Sequence, residues 1–138
     1  MIQRMQSLWL LLAGLCSFLT LRLPVYNGNK LVNGISEYNQ LNAASNLFLL
    51  VLAVATGIVT WIAIFLYKNR SMQQKLCFLS LLLFIISGLL YYSRINSFVE
   101  GSFTLWSVLY FLIPVAIILA IRGIYRDQKL IKSVDRLR

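Results

Sequence analysis

Between Leu8 and Ile121 the chain carries four apolar stretches, and none has a charged residue inside it. They run from Leu8 to Leu21 (with Leu23 beyond Arg22), Asn46 to Tyr67, Leu76 to Tyr92 and Thr104 to Ile121. A helix needs about 20 mostly apolar residues to cross about 30 Å of hydrocarbon. The second stretch meets that length alone, and the others reach it with their flanks. Spans are therefore expected at about residues 6–23, 46–67, 76–93 and 104–122. Membrane-spanning strands would alternate apolar and polar residues with a period of two. These stretches are apolar on every face. A buried helix of a soluble protein needs neighbours that present polar outer faces, and this chain has none.

Composition points the same way. Charged residues make up 12% of the 138 positions and hydrophobic residues 59%, where a soluble domain carries roughly 25% charged residues. The length allows one domain. The net charge is +9. These charges fall between and after the apolar runs, so they read as a topology signal and an attraction for anionic lipid head groups, not as a nucleic-acid surface.

Several chemistries are excluded or disfavoured. With no histidine in the chain, histidine-ligated haem, most catalytic zinc sites and a histidine general base are ruled out. Cys16 and Cys77 are far apart and form no C-x-x-C pair, so no disulfide is expected. They read as small apolar residues of a bundle. No Asp, Glu, Lys or Arg lies within a span to mark an ion path. No catalytic residue, metal site or cofactor is expected.

Orientation follows from the loops. Arg4, the connection with Lys68, Arg70 and Lys75, and the tail with Arg122, Arg126, Lys129, Lys132, Arg136 and Arg138 lie on one side. Only Arg22, Lys30 and Arg94 lie on the other. The positive-inside rule makes the first side cytoplasmic, with both termini there. Trp9, Trp61 and Tyr67 sit near the inner ends of the spans, and Tyr26, Tyr91, Tyr92 and Trp106 near the outer ends, as interfacial aromatics do. The first stretch lacks an A-x-A cleavage site at the right distance, and Leu15 precedes Cys16 where a lipoprotein box needs a small residue. An uncleaved first helix is expected.

The architecture expected is all-α: a four-helix transmembrane up-down bundle with a basic amphipathic helix on the cytoplasmic side. Small residues permit close helix approach in lipid. Ala13 and Ser17, Ala53 and Gly57, Ser80, Ser87 and Gly88, and Ala116, Ala120 and Gly123 should face the interior. Pro114 removes one helical hydrogen bond and should bend span four. Polar residues within the spans should bond their own backbone or a neighbouring helix. The outer loop, 24–45, contains Asn27-Gly28 between short β-prone flanks. It reads as a plain connection or as a small hairpin turning on that pair.

Two groups of residues are candidate contacts. In the tail, 123–138, Arg126, Lys129, Lys132 and Arg136 fall with Arg122 on one helical face, and Ile124, Leu130, Ile131, Val134 and Leu137 on the other. This helix would lie on anionic lipid, project to a partner protein, or simply fix topology. Arg22 and Arg94 sit at the outer interface, where each could bind a lipid phosphate, a quinone head group or a partner carboxylate. Glu37 and Glu100 are candidate partners for them, and snorkelling to the head groups is the plainer reading.

The opening Met1-Ile2-Gln3-Arg4-Met5-Gln6-Ser7-Leu8-Trp9-Leu10-Leu11-Leu12-Ala13 resembles the N-terminus of a family of small bacterial membrane proteins catalogued as domain of unknown function 4293. The likeness extends over the whole chain in length, span layout and basic tail. It implies the four-helix membrane fold and a Gram-negative inner membrane, and it transfers no site. The sequence thus suggests a non-enzymatic accessory or assembly subunit of a larger membrane complex. The alternative is a small transporter or a lipid- or quinone-handling protein using Arg22 and Arg94.

Overall fold

A computed structural model describes the backbone of residues 2–135 and the side chains of residues 5–134. Four helices form: α1 (Ile2–Leu19), α2 (Leu47–Phe65), α3 (Arg70–Ile95) and α4 (Ser107–Asp135). Three of them, α2, α3 and α4, are long and apolar enough to span a membrane, with mean hydropathies of 2.6, 2.1 and 2.2 over their most apolar windows. This points to membrane association. The apolar part of α1, Met5–Leu19, is shorter. Between 22% and 33% of each long window is buried, and many of the Leu, Ile and Phe side chains face outward, as lipid-facing residues would.

Local chemistry sets the helix ends. The Asn46 side chain accepts from the Phe48 amide and so caps α2, and that of Asn69 accepts from Met72 and caps α3. Each satisfies a backbone donor that the first helical turn leaves open. Beyond α1, Leu23 N–H still reaches the Leu19 carbonyl. Pro24 follows and cannot continue the ladder.

The helices contact one another in a ring, α1 to α2, α2 to α3, α3 to α4 and α4 back to α1. The short connections after α2 and α3, residues 66–69 and 96–106, favour antiparallel neighbours. The small residues hold the seams as expected. Ala13, Ser17, Gly57, Ser80, Ser87, Ala116 and Ala120 are buried, while Ala53, Gly88 and Gly123 are partly buried. Ser17 Oγ donates to the Ala53 carbonyl at 2.7 Å, tying α1 to α2. The Ser87 and Tyr110 hydroxyls meet at 3.0 Å, tying α3 to α4. Thr56, Thr60 and Ser80 donate to carbonyls of their own helix, and Thr20, just past α1, donates to the Ser17 carbonyl. The Phe18 and Trp61 rings meet edge-on at 5.1 Å across α1 and α2.

The all-α expectation fails at one end of the bundle. Strands β1 (Tyr26–Val32), β2 (Ile35–Leu41) and β3 (Glu100–Phe103) form an antiparallel sheet in the order β2-β1-β3. The outer loop is therefore a hairpin, but it does not turn on Asn27-Gly28. It turns on Asn33-Gly34, whose φ angles of 53° and 83° are those of a type I′ turn. Asn27 and Gly28 instead lie in the central strand, with Gly28 opposite Gly101. A Cβ on Gly28 would come within 2.7 Å of the Gly101 Cα, so the glycine is there for strand contact and not for turning. The Tyr26 ring sits edge-on to Phe98 and Phe103. The sheet thus joins the α1–α2 connection to the α3–α4 connection.

Candidate functional site

The opposite end of the bundle carries the start of α1, the α2–α3 connection and the last turns of α4. Its centre is a buried polar knot. Gln6 Nε2 donates to Asp127 Oδ2 at 2.7 Å. Arg70 Nη1 lies 3.8 Å from the same oxygen. Gln6 is 6% exposed and Asp127 5%. Three helices therefore meet on one carboxylate: α1 through Gln6, α3 through Arg70 and α4 through Asp127. Among the described residues this is the one ion pair. A buried carboxylate is costly unless paired and hydrogen-bonded, and this one is both.

Periodicity explains why these side chains meet. Gln6, Leu10, Ala13 and Ser17 form one stripe of α1, and all four are buried. Ala116, Ala120, Gly123 and Asp127 form a stripe of α4 at spacings of four, three and four. The stripes face each other in antiparallel helices. A Cβ on Gly123 would lie 2.7 Å from Gln6 Cγ, so the lack of a side chain there gives Gln6 room to reach Asp127. Sequence reasoning placed Ala116, Ala120 and Gly123 on an inward stripe and stopped one step short. Asp127 continues it, and that spacing was the available signal.

The tail continues α4 without a break to Asp135. Arg122, Arg126, Lys129 and Lys132 are all exposed. Arg136, Leu137 and Arg138, like the Arg4 side chain, lie outside the described residues. On the apolar face Ile124 is buried, whereas Leu130, Ile131 and Val134 are 56%, 46% and 65% exposed. From Lys129 to Val134 every side chain is exposed, so α4 runs out past most of its packing, with Ile131 and Lys132 still bordering the α2–α3 connection. Lys68 and Arg70 line a cleft of about 470 Å³ together with Gln128 and Lys132 of α4.

At the sheet end, Arg94 and Lys30 line a second cleft of about 340 Å³, with Asn39, Asn46 and Ser97. Arg22 is exposed and takes no part in it. The candidate pairing of Arg22 and Arg94 with Glu37 and Glu100 does not occur. Lys30, not either arginine, stands opposite Glu37 in the hairpin, and Glu100 is opposite Asn29. Neither glutamate has an ion-pair partner among the described residues.

Cys16 and Cys77 are both free and buried. Among the described residues no group of three Cys, Asp or Glu side chains could hold a metal ion.

The model of a family described as Domain of unknown function (DUF4293) matches residues 2–137. The chain belongs to this family. The match bears out the resemblance carried by the opening Gln3-Arg4-Met5-Gln6, and Gln6 within it is the residue that reaches Asp127. No curated protein and no solved structure matches the chain. The family description assigns no activity, so any role for its members must be argued from the chain itself.

Proposed function

We propose that this member of the family is a four-span protein of a bacterial inner membrane and serves as a non-enzymatic accessory or assembly subunit of a larger membrane complex. Both ends of the chain would lie in the cytoplasm. Lys68, Arg70, Lys75, Arg126, Lys129 and Lys132 lie toward the bundle end that carries the start of α1 and the last turns of α4, and the positive-inside rule favours that end as the cytoplasmic one. With the turn that follows it, α1 approaches the length of a thin bilayer crossing, and a shorter span is tolerated at modest cost.

The observation that carries the subunit reading is the overrun of α4. Its last turns present basic side chains on one face and exposed Leu130, Ile131 and Val134 on the other. An apolar strip left open beyond the bundle suits a groove on a partner helix pair or a membrane surface. The experiment is affinity purification from membranes in mild detergent, comparing the full chain with one ending after Gln128. That truncation keeps Asp127 and its knot. A stoichiometric partner held by the full chain and lost by the truncated one is the expected result. Recovery of lipid alone from both would defeat the subunit reading.

A second reading, handling of a lipid or quinone head group, is favoured by the cleft that holds Arg94 and Lys30. It requires that Arg94→Ala and Lys30→Ala together abolish whatever activity is found, while Arg22→Ala spares it. Full activity in the double variant would eliminate it.

A further inference from the structure

The cleft at the α2–α3 connection is lined by Lys68, Arg70, Ser71, Gln128, Ile131 and Lys132. Three of these are cations, contributed by two separate parts of the chain, and no carboxylate lines the cleft. Lys68 and Lys132 have no ion-pair partner among the described residues. Like charges gathered in one concavity repel one another, and an anion in the cleft relieves that repulsion.

The cleft is also built, not merely charged. Arg70 is paired with Asp127, and Asp127 accepts a hydrogen bond from Gln6. One guanidinium nitrogen lies 3.8 Å from the carboxylate, and the guanidinium has N–H groups to offer a second acceptor. Ser71 and Gln128 add neutral donors, and Ile131 supplies an apolar wall. In sequence, Phe65 and Tyr67 come just before Lys68 and Met72 just after Ser71, and all three are exposed. A phosphate in this cleft would therefore have apolar helix surface beside it, where acyl chains can lie.

We propose that this cleft is a specific site for the phosphate head group of an anionic phospholipid, with Lys68, Arg70 and Lys132 as its ligands. The inference rests on the membrane-spanning reading of the preceding section. It differs from diffuse adhesion of the basic tail to a charged surface. Diffuse attraction counts charges wherever they sit on the helix, whereas a site counts only the charges that line it. Basic hollows between membrane helices at the cytoplasmic face suit such head groups.

The test uses the full chain in nanodiscs of phosphatidylcholine with a minor fraction of phosphatidylglycerol. Native mass spectrometry after release reads the lipid retained per chain. One phosphatidylglycerol should remain bound despite the excess of phosphatidylcholine. Lys68→Ala with Lys132→Ala should weaken retention about thirtyfold. Arg126→Ala with Lys129→Ala removes the same charge from the same end but not from the cleft, and should change retention by less than about threefold. Equal loss in both double variants would replace the site with diffuse attraction. Inorganic phosphate binding as tightly as the lipid would overturn the lipid assignment. So would a protein partner lost on Lys68→Ala and Lys132→Ala with lipid retention unchanged. Failure of the spanning reading would appear separately, as a chain that never enters the nanodisc.

Discussion

The side-chain amide of Gln6 donates to a carboxylate oxygen of Asp127 at 2.7 Å, joining positions 121 residues apart and closing the ring of helices between α1 and α4. A buried hydrogen bond to a charged group contributes about 1.5–3 kcal/mol. Gln6→Ala should therefore destabilise the bundle by about 2 kcal/mol. Asp127→Ala also frees Arg70 and should cost more, about 3 kcal/mol. Thermal unfolding in mild detergent measures both. Unchanged midpoints would show that the knot contributes nothing to holding the ring.

Helix packing in this bundle depends on particular glycines, and two of them should respond in opposite ways. An added Cβ at Gly14 would overlap the indole of Trp61 and lie 3.0 Å from Thr60 Oγ1. At Gly88 the nearest atom is the Tyr110 hydroxyl at 3.4 Å. Alanine is better than glycine within a helix by about 1 kcal/mol. Gly88→Ala should be neutral or stabilising, and Gly14→Ala should cost about 1–3 kcal/mol from overpacking. The same unfolding measurement orders them. A reversed order would mean that α1 and α2 do not approach as closely as described.

The hairpin offers a local test. Gly34 has φ of 83°, and a β-branched residue in a left-handed conformation costs about 1–2 kcal/mol. Gly34→Val should speed amide exchange near the turn, at residues 30–35. Gly28→Ala should act elsewhere, because its Cβ meets the backbone of β3. It should speed exchange at residues 99–103 and leave the turn protected. Loss of turn protection in both variants would mean that the two glycines do not have separate roles.

The interhelical bond from Ser17 to the Ala53 carbonyl should be worth little. Such bonds within membranes average about 0.6 kcal/mol. Ser17→Ala should lower stability by about that amount, against a larger loss for Gln6→Ala in the same helix. A loss above about 2 kcal/mol would place the main tie of α1 with α2 instead of α4.

How much of this was legible in the sequence depends on the range of the signal. The four helices were, because a charge-free run of apolar residues is a local property. So was the inward stripe of Ala116, Ala120 and Gly123, which follows from helical period. The hairpin was half legible. Two Asn-Gly pairs, Asn27-Gly28 and Asn33-Gly34, stand six residues apart, and only pairing of the whole loop decides which one turns. Strand β3 was hidden because four residues, Glu100 to Phe103, carry no alternation of their own and become a strand only by lying beside Tyr26 to Asn29. Asp127 was hidden by its setting. Among the basic residues of the tail an acid looks solvated, and the burial of this one depends on Gln6 and Arg70, which are remote in sequence. The clefts are tertiary in the same sense, since Lys30 and Arg94, or Lys68 and Lys132, come together only after the chain is threaded.

On the proposed topology, the sheet and the polar knot stand on opposite faces of one bilayer. Labelling of single cysteines with a membrane-impermeant maleimide tests it, in a chain whose Cys16 and Cys77 are replaced by alanine. Ser36→Cys in β2 and Ser133→Cys in α4 occupy exposed positions at the two ends. The Ser36 variant should label from outside the inner membrane, and the Ser133 variant only after that membrane is permeabilised. Labelling of both from the same side would contradict the account.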